Sequence, residues 1–243
     1  MLRSLSVWMV FSAWLAIPCQ HSSADESVRT IKDIAYLGDR RRETMDLYLP
    51  PDHSGQADGR RTFPAVVIIH GGGWHGGDKA AKRELNIASN LAREGYVCAS
   101  INYELGKKSD HLGERLRSIW PRNLHDCKSA VRFLRARAKE YRIDPKHIGA
   151  IGGSAGGHLV AMLATTDDDD GFERGGLYRD RSSRIQAVVP MYGVHDIERL
   201  AVQRNNELTP DDLEIVRHAS PVTYVTGDDP VSYTHLTLPT IPG

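Results

Sequence analysis

The chain has 243 residues, 40% hydrophobic and 26% charged, the balance of a soluble globular domain with a sizeable core. Lys plus Arg number 31 and so do Asp plus Glu, so the formal charge is zero and no basic excess points to a nucleic-acid partner.

Arg3 followed by the uncharged, mostly apolar run 5–17 predicts an export leader, because 13 residues are too few for a comfortable membrane span. Ser22, Ser23 and Ala24 supply small residues for cleavage before Asp25. Residues 1–24 are therefore read as a signal peptide, with the mature chain periplasmic or secreted and without a stable membrane span. A lipid anchor at Cys19 is the weaker reading, since Pro18 directly precedes it. Cys98 and Cys127 then read as two buried thiols, although sequence position does not decide whether they pair.

Residues 30–37 and 43–49 read as an opening strand pair. In the second, Met45, Leu47 and Leu49 alternate with Asp46 and Tyr48, the period of a half-buried strand. A polar loop at 50–61 precedes PAVVIIH at 64–70, a continuous apolar run of the kind buried on both faces. Asp78 is expected to cap a helix reaching about Glu94, with Leu85, Ala88, Leu91 and Ala92 on one face. A second buried strand follows at 96–101, then a charged, irregular inserted loop at 107–120. Residues 122–141 show apolar positions at three- and four-residue steps, an amphipathic helix. A strand at 147–152, a helix at 155–164 and a strand at 185–191 complete the pattern. The run Asp167 to Asp170 reads as a solvated loop, because no regular cation-ligand spacing follows. An antiparallel start followed by strand–helix alternation predicts a mostly parallel, twisted sheet with helices on both faces.

Two motifs carry chemistry. Gly152-Gly153-Ser154-Ala155-Gly156 fits G-x-S-x-G between an apolar strand and a helix, where a sharp turn exposes the serine oxygen. The N–H of Ala155 opens the helix and points toward that oxygen, at the positive end of the helix dipole. His70-Gly71-Gly72-Gly73-Trp74 follows a buried strand, as the glycine loop that donates oxyanion-hole N–H groups does. It lacks the G-K-[ST] ending of a phosphate loop. Trp74 fits either a wall of the acyl pocket or a cover of the loop. His158 lies one turn into the helix after Ser154 and reads as structural, as do Asp126, Arg132 and the turn at Asp144-Pro145.

HGGGWHGGDK, SINYEL, the segment from DCKSAV to HLVAMLA, and SSRIQAVVPMYGVHD resemble the bifunctional-feruloyl-esterase-like and hormone-sensitive-lipase-like branches of the α/β-hydrolases. The resemblance runs from about Arg29 to Asp229. It implies an α/β-hydrolase fold with Ser154 as nucleophile and an oxyanion hole from Gly72, Gly73 and Ala155. It implies that His70 shapes the loop and is not the base. It also implies hydrolysis of a small ester or esterified polysaccharide, often an acetyl or feruloyl ester, with no cofactor and no metal. A non-catalytic α/β-hydrolase-like binding protein, and a peptidase or acyltransferase of the same fold, share these motifs.

The fold orders its triad as serine, then acid, then histidine, each after a later strand. Only one convincing strand, 185–191, follows Ser154. His195 and Asp196 come directly after it, too early for the base, and Asp196 reads as structural. His218 and His235 follow no further pair of strands. The acid and base are therefore expected outside this chain, which is then expected to be weakly active or inactive, with the fold missing its last strands. Val231 to Thr240 matches, codon for codon, GTC TCT TAT ACA CAT CTG ACG CTG CCG ACG, which resembles a sequencing-library adapter. The hydrolase domain is accordingly bounded at 25–229, and 230–243 is expected to be a non-native tail.

Overall fold

The computed structural model describes residues 27–51 and 61–232. The leader expected at 1–24 lies outside the described residues, as does the expected tail from 233 onward.

Among the described residues seven strands build one sheet: β1 (Arg29–Ile34), β2 (Met45–Leu49), β3 (Phe63–Ile69), β4 (Val97–Ile101), β5 (Ile143–Gly153), β6 (Ala187–Met191) and β7 (Val231–Ser232). Their order is β1-β2-β4-β3-β5-β6-β7. β2 pairs antiparallel with both β1 and β4, and every other neighbouring pair is parallel. Among the described residues six α-helices join them: α1 (Lys82–Arg93), α2 (Leu112–Arg117), α3 (Arg122–Ala136), α4 (Ala155–Thr165), α5 (Ile197–Gln203) and α6 (Pro210–His218). Among the described residues no helix is long and apolar enough to cross a membrane.

The period of two along each strand sorts the core into two layers. Tyr48, Ile68 and Cys98 face α1 and pack with its Ala88 and Ala92. Leu47, Val67, Ile69, Ala99 and Ala150 face the other way, in one cluster with Leu124, Val131 and Leu134 of α3 and Leu159 and Met162 of α4. Cys98 and Cys127 are both free and buried, one in each layer. Burial pushes the Cys98 thiol up to about 12, so it is a packing residue rather than a nucleophile.

The structure departs from the sequence reading in several places, α3 ending at Ala136 rather than 141 and α5 and α6 being unforeseen among them. The segment 107–120, expected as a loop, contains α2, whose Leu112 and Leu116 enter the core. β5 starts at Ile143 rather than 147, because Phe63 of β3 pairs with Ile143 and carries the ladder back past Asp144-Pro145. Asp78 does not cap α1; its carboxylate accepts from the Ala80 N–H at 2.7 Å and the helix begins at Lys82. A further strand follows β6: β7 pairs Val231 with Ala187 and Ser232 with Val188, two residues inside the segment expected to be a tail.

Candidate active site

The parallel strands β3 and β5 are neighbours, so the loops leaving their C-terminal ends meet. After β5 the chain reverses at Ser154, whose φ of 56° and ψ of −120° lie in a region that side chains rarely adopt. Such a conformation costs on the order of 1–3 kcal/mol and persists only where the surroundings fix it. Here the Ser154 N–H donates to Met191 O at 3.0 Å, and Ser154 O accepts from the His158 N–H at 2.9 Å. Gly156 lets α4 press against β3: a Cβ there would overlap the carbonyl oxygen of Ile69. The serine itself is exposed, and its hydroxyl has no hydrogen-bond partner among the described residues.

The glycine loop after β3 closes on this turn. A Cβ at Gly71 would sit 3.4 Å from the Ser154 Cβ. Gly72 O accepts from the N–H groups of His75 and Gly76 at 3.2 and 3.0 Å, which folds the loop tightly. That turn requires φ of 123° at Gly72 and 60° at Gly73. Beneath it, His70 donates through Nδ1 to Gly71 O at 2.7 Å and stacks on Tyr103 at 4.4 Å. The Tyr103 hydroxyl donates to His70 O at 2.9 Å. His70 therefore shapes the loop. Among the described residues the N–H groups of Gly72, Gly73 and Ala155 donate to no acceptor. Three N–H groups without an acceptor among the described residues thus lie in the serine turn and in the glycine loop that packs against it.

Trp74 is buried and covers the loop from behind. Its indole N–H donates to His158 Nδ1 at 3.0 Å, and His158 Nε2 donates to Ala219 O at 2.6 Å. This pair of bonds fixes one neutral tautomer, and burial holds His158 down at about 4. His158 is structural, and the proton it refuses has a measurable consequence. Below pH 6.5 the unfolded chain protonates this ring, whereas the folded chain does not until about pH 4. The neutral ring's contribution is therefore full above pH 6.5 and is lost as pH falls toward 4, by about 3 kcal/mol over the whole window. Urea unfolding midpoints should fall between pH 7 and pH 4.5, and His158→Gln should flatten that slope. An unchanged slope in the variant would reassign the effect to other groups.

Of the other histidines, His75 borders Gly73, while His218 and His195 are engaged elsewhere. His218 Nδ1 accepts from the Trp120 indole at 2.9 Å. His195 lines an apolar cavity of about 410 Å³ between α4 and β6, together with Val188, Pro221 and Pro230. Asp196 caps α5, accepting from the Arg199 N–H at 2.9 Å. Asp126 holds Arg41 at 2.7 Å and the Glu104 N–H at 2.9 Å, and burial raises it to about 6. Arg132 donates to Gly175 O and Glu173 O at 2.8 and 2.9 Å. These are scaffold contacts.

Sequence reasoning did not find Arg83, Tyr192 and Arg115. Arg83 Nη1 donates to the Tyr192 hydroxyl at 2.6 Å, and a Cβ on Gly153 would come within 2.5 Å of that nitrogen and 2.6 Å of that hydroxyl oxygen. The two side chains therefore roof the residue before the serine. Arg115 approaches the opposite rim, its Nη1 3.4 Å from Gly73 O. Neither arginine belongs to a motif; both are brought in by the packing of α1 and α2.

The BD-FAE family profile matches residues 45–235, from β2 to beyond β7. The chain belongs to this family. Its relatives include the probable carboxylic ester hydrolase LipM of Mycobacterium tuberculosis, 32% identical over 82% of this chain and 45% of that protein. Esterase LipQ of the same organism is 30% identical over 82% of this chain and 46% of its own length. The BD-FAE chain thus spans less than half the length of these curated relatives. A solved truncated form of carbohydrate esterase from gut microbiota superposes with a TM-score of 0.69 at 26% identity, covering 86% of this chain and 77% of that one. Thermogutta terrifontis esterase 2 with butyrate bound gives a TM-score of 0.63 at 24% identity over 85% of this chain and 70% of that one, a likeness of fold. The α/β-hydrolase fold, with its mostly parallel sheet and helices on both faces, is the architecture this BD-FAE member shares with those esterases.

Proposed function

We propose that this chain carries the nucleophile and oxyanion hole of a serine carboxylic ester hydrolase. The observation behind the reading is the exposed Ser154, held at φ 56° and ψ −120° beside three N–H donors that nothing in the described residues occupies. A binding protein has no use for a strained serine at that point, whereas an acyl-transfer site uses both features.

In the proposed reaction, Ser154 Oγ attacks the ester carbonyl carbon and gives up its proton to a general base. The carbonyl oxygen gains the negative charge and is met by the N–H groups of Gly72, Gly73 and Ala155. Collapse of this intermediate breaks the bond to the alcohol oxygen, which leaves with a proton. Water then attacks the acyl-serine by the same route and releases the acid. None of the described histidines touches Ser154 Oγ, so the base is not assigned. Without an engaged base, the hole and substrate binding alone accelerate such reactions by roughly 10³–10⁴ over water.

The similarity to a carbohydrate esterase supports acetyl or feruloyl esters of polysaccharides as substrates. The direct test is release of acetate from acetylated xylan and of p-nitrophenol from p-nitrophenyl acetate. We expect both above the buffer rate, with no cleavage of a matched p-nitroanilide. Hydrolysis indistinguishable from buffer, or an anilide preferred to the ester, would overturn the reading.

A further inference from the structure

We propose that Arg115, with Arg204 beside it, forms a subsite at the rim of the oxyanion loop that takes the carboxylate of an acidic sugar ester. The proposal rests on the reading of Ser154 as an ester-cleaving nucleophile, and it narrows the substrate from polysaccharides in general to uronate-bearing ones.

The first ground is how Arg115 is held. Its side chain is partly buried, and its partners are backbone carbonyls: Nε donates to Ser109 O at 2.9 Å, Nη2 donates to the same oxygen, and Nη1 donates to Gly73 O at 3.4 Å. A guanidinium carries five N–H donors. Two of Arg115's are therefore without an acceptor among the described residues. Two other arginines beside these elements are closed by buried carboxylates: Arg117, on the same helix, meets Asp212, and Arg83 meets Glu84. Arg135 shows another way to finish a guanidinium, with its three nitrogens on three separate carbonyls, of Pro145, Ser182 and Arg184. Arg115 has neither arrangement; no carboxylate oxygen of the described residues lies within 4.0 Å of it.

The second ground is place. A Cβ on Gly73 would lie 3.2 Å from Arg115 Nη1 and 3.3 Å from His75 Nε2. The guanidinium thus borders the residue whose N–H belongs to the candidate oxyanion hole. A group bound there would border the glycine loop on the side of Gly73.

The third ground is the company it keeps. Burial lowers the hold of Arg115 on its proton, and the charge of Arg204 lowers it further, while Asp110 offsets this in part. Asn206 Oδ1 accepts from the Leu112 N–H at 2.8 Å, which ties the end of α5 to the start of α2 and keeps Arg204 near. Asp110 offsets these two like charges only from beyond ion-pair distance. An arriving carboxylate relieves both, and the planar fork of a guanidinium matches its two oxygens.

The test is calorimetric titration of the full chain with trigalacturonate, with xylotriose as the neutral match and inorganic phosphate as the general anion. We expect trigalacturonate to bind at least tenfold tighter than xylotriose or phosphate. Arg115→Gln should abolish that preference, Arg115→Lys should retain part of it, and Arg204→Gln should weaken it severalfold. Equal affinity for the three probes, or a preference that survives Arg115→Gln, would overturn the proposal. Should Arg115→Gln fail to unfold cooperatively, the exposed Arg204→Gln decides: an unchanged preference there overturns it. Turnover of p-nitrophenyl acetate, which carries no carboxylate, reads the nucleophile separately. Its absence alongside an intact uronate preference would count against the esterase reading and not against the subsite.

Discussion

A fluorophosphonate should label this chain at Ser154 and at no other serine, and Ser154→Ala should lower labelling by about a hundredfold or more. The reason is local. A serine hydroxyl is a poor nucleophile at neutral pH, and phosphonylation needs the phosphoryl oxygen to be polarised while the serine oxygen attacks. Ser154 combines an exposed hydroxyl with adjacent unpaired N–H groups and the start of α4 directly behind it. Ser100 and Ser129, by contrast, are buried and donate to Lys79 O and His125 O at 2.7 Å each. Tandem mass spectrometry of the labelled tryptic digest locates the adduct. A label on another serine, or one that persists in Ser154→Ala, would remove the assignment. Because attack on a phosphonate leans on the hole as well as on a base, the experiment reads the site even where turnover of esters is slow.

The site's location was legible because its two loops grow from strands that advertise themselves. The runs at 64–69 and 96–101 are apolar but for Ser100, as strands buried on both faces are, and glycines follow the first directly after His70. The serine turn was legible for the same reason: strand, glycines, then helix. What stayed hidden needed the third dimension. α2 offers only Leu112 and Leu116 as core residues within one and a half turns, too little periodicity to stand out from a charged segment. The start of β5 reads as a turn because Asp144-Pro145 is there, and only pairing with β3 extends it. α6 had a readable signal, Thr209-Pro210 with Asp212 three residues after the cap, and the structure shows the reciprocal capping box it encodes. Arg83 and Tyr192 reach Gly153, and Arg115 reaches Gly73, from three different parts of the chain, so no spacing announces them.

Gly72→Ala should reduce p-nitrophenyl acetate hydrolysis above the buffer rate by about a hundredfold, whereas Gly76→Ala in the same loop should leave it within about threefold. At Gly72 the backbone stands at φ 123°, and a Cβ would overlap the carbonyl of Gly76. The loop can accommodate the methyl group only by opening the turn in which Gly72 O accepts from His75 and Gly76. Opening it swings the N–H groups of Gly72 and Gly73 away from the serine. Loss of one oxyanion donor costs roughly 10²–10³ in turnover in a working acyl-transfer site, and the figure here is set at the lower end because Ala155 is unaffected. At Gly76 a Cβ meets only Gly72 O at 3.7 Å, an ordinary contact, and the backbone is not left-handed. The two variants therefore differ by one position's geometry while sharing composition, loop and net charge. Thermal unfolding of Gly76→Ala should stay close to that of the parent, whereas Gly72→Ala should unfold a few degrees lower, because the strained φ and the opened turn cost stability. Equal activities for the two variants would mean that the donors facing the oxyanion are not those of this loop, and the hole would have to be sought elsewhere around Ser154.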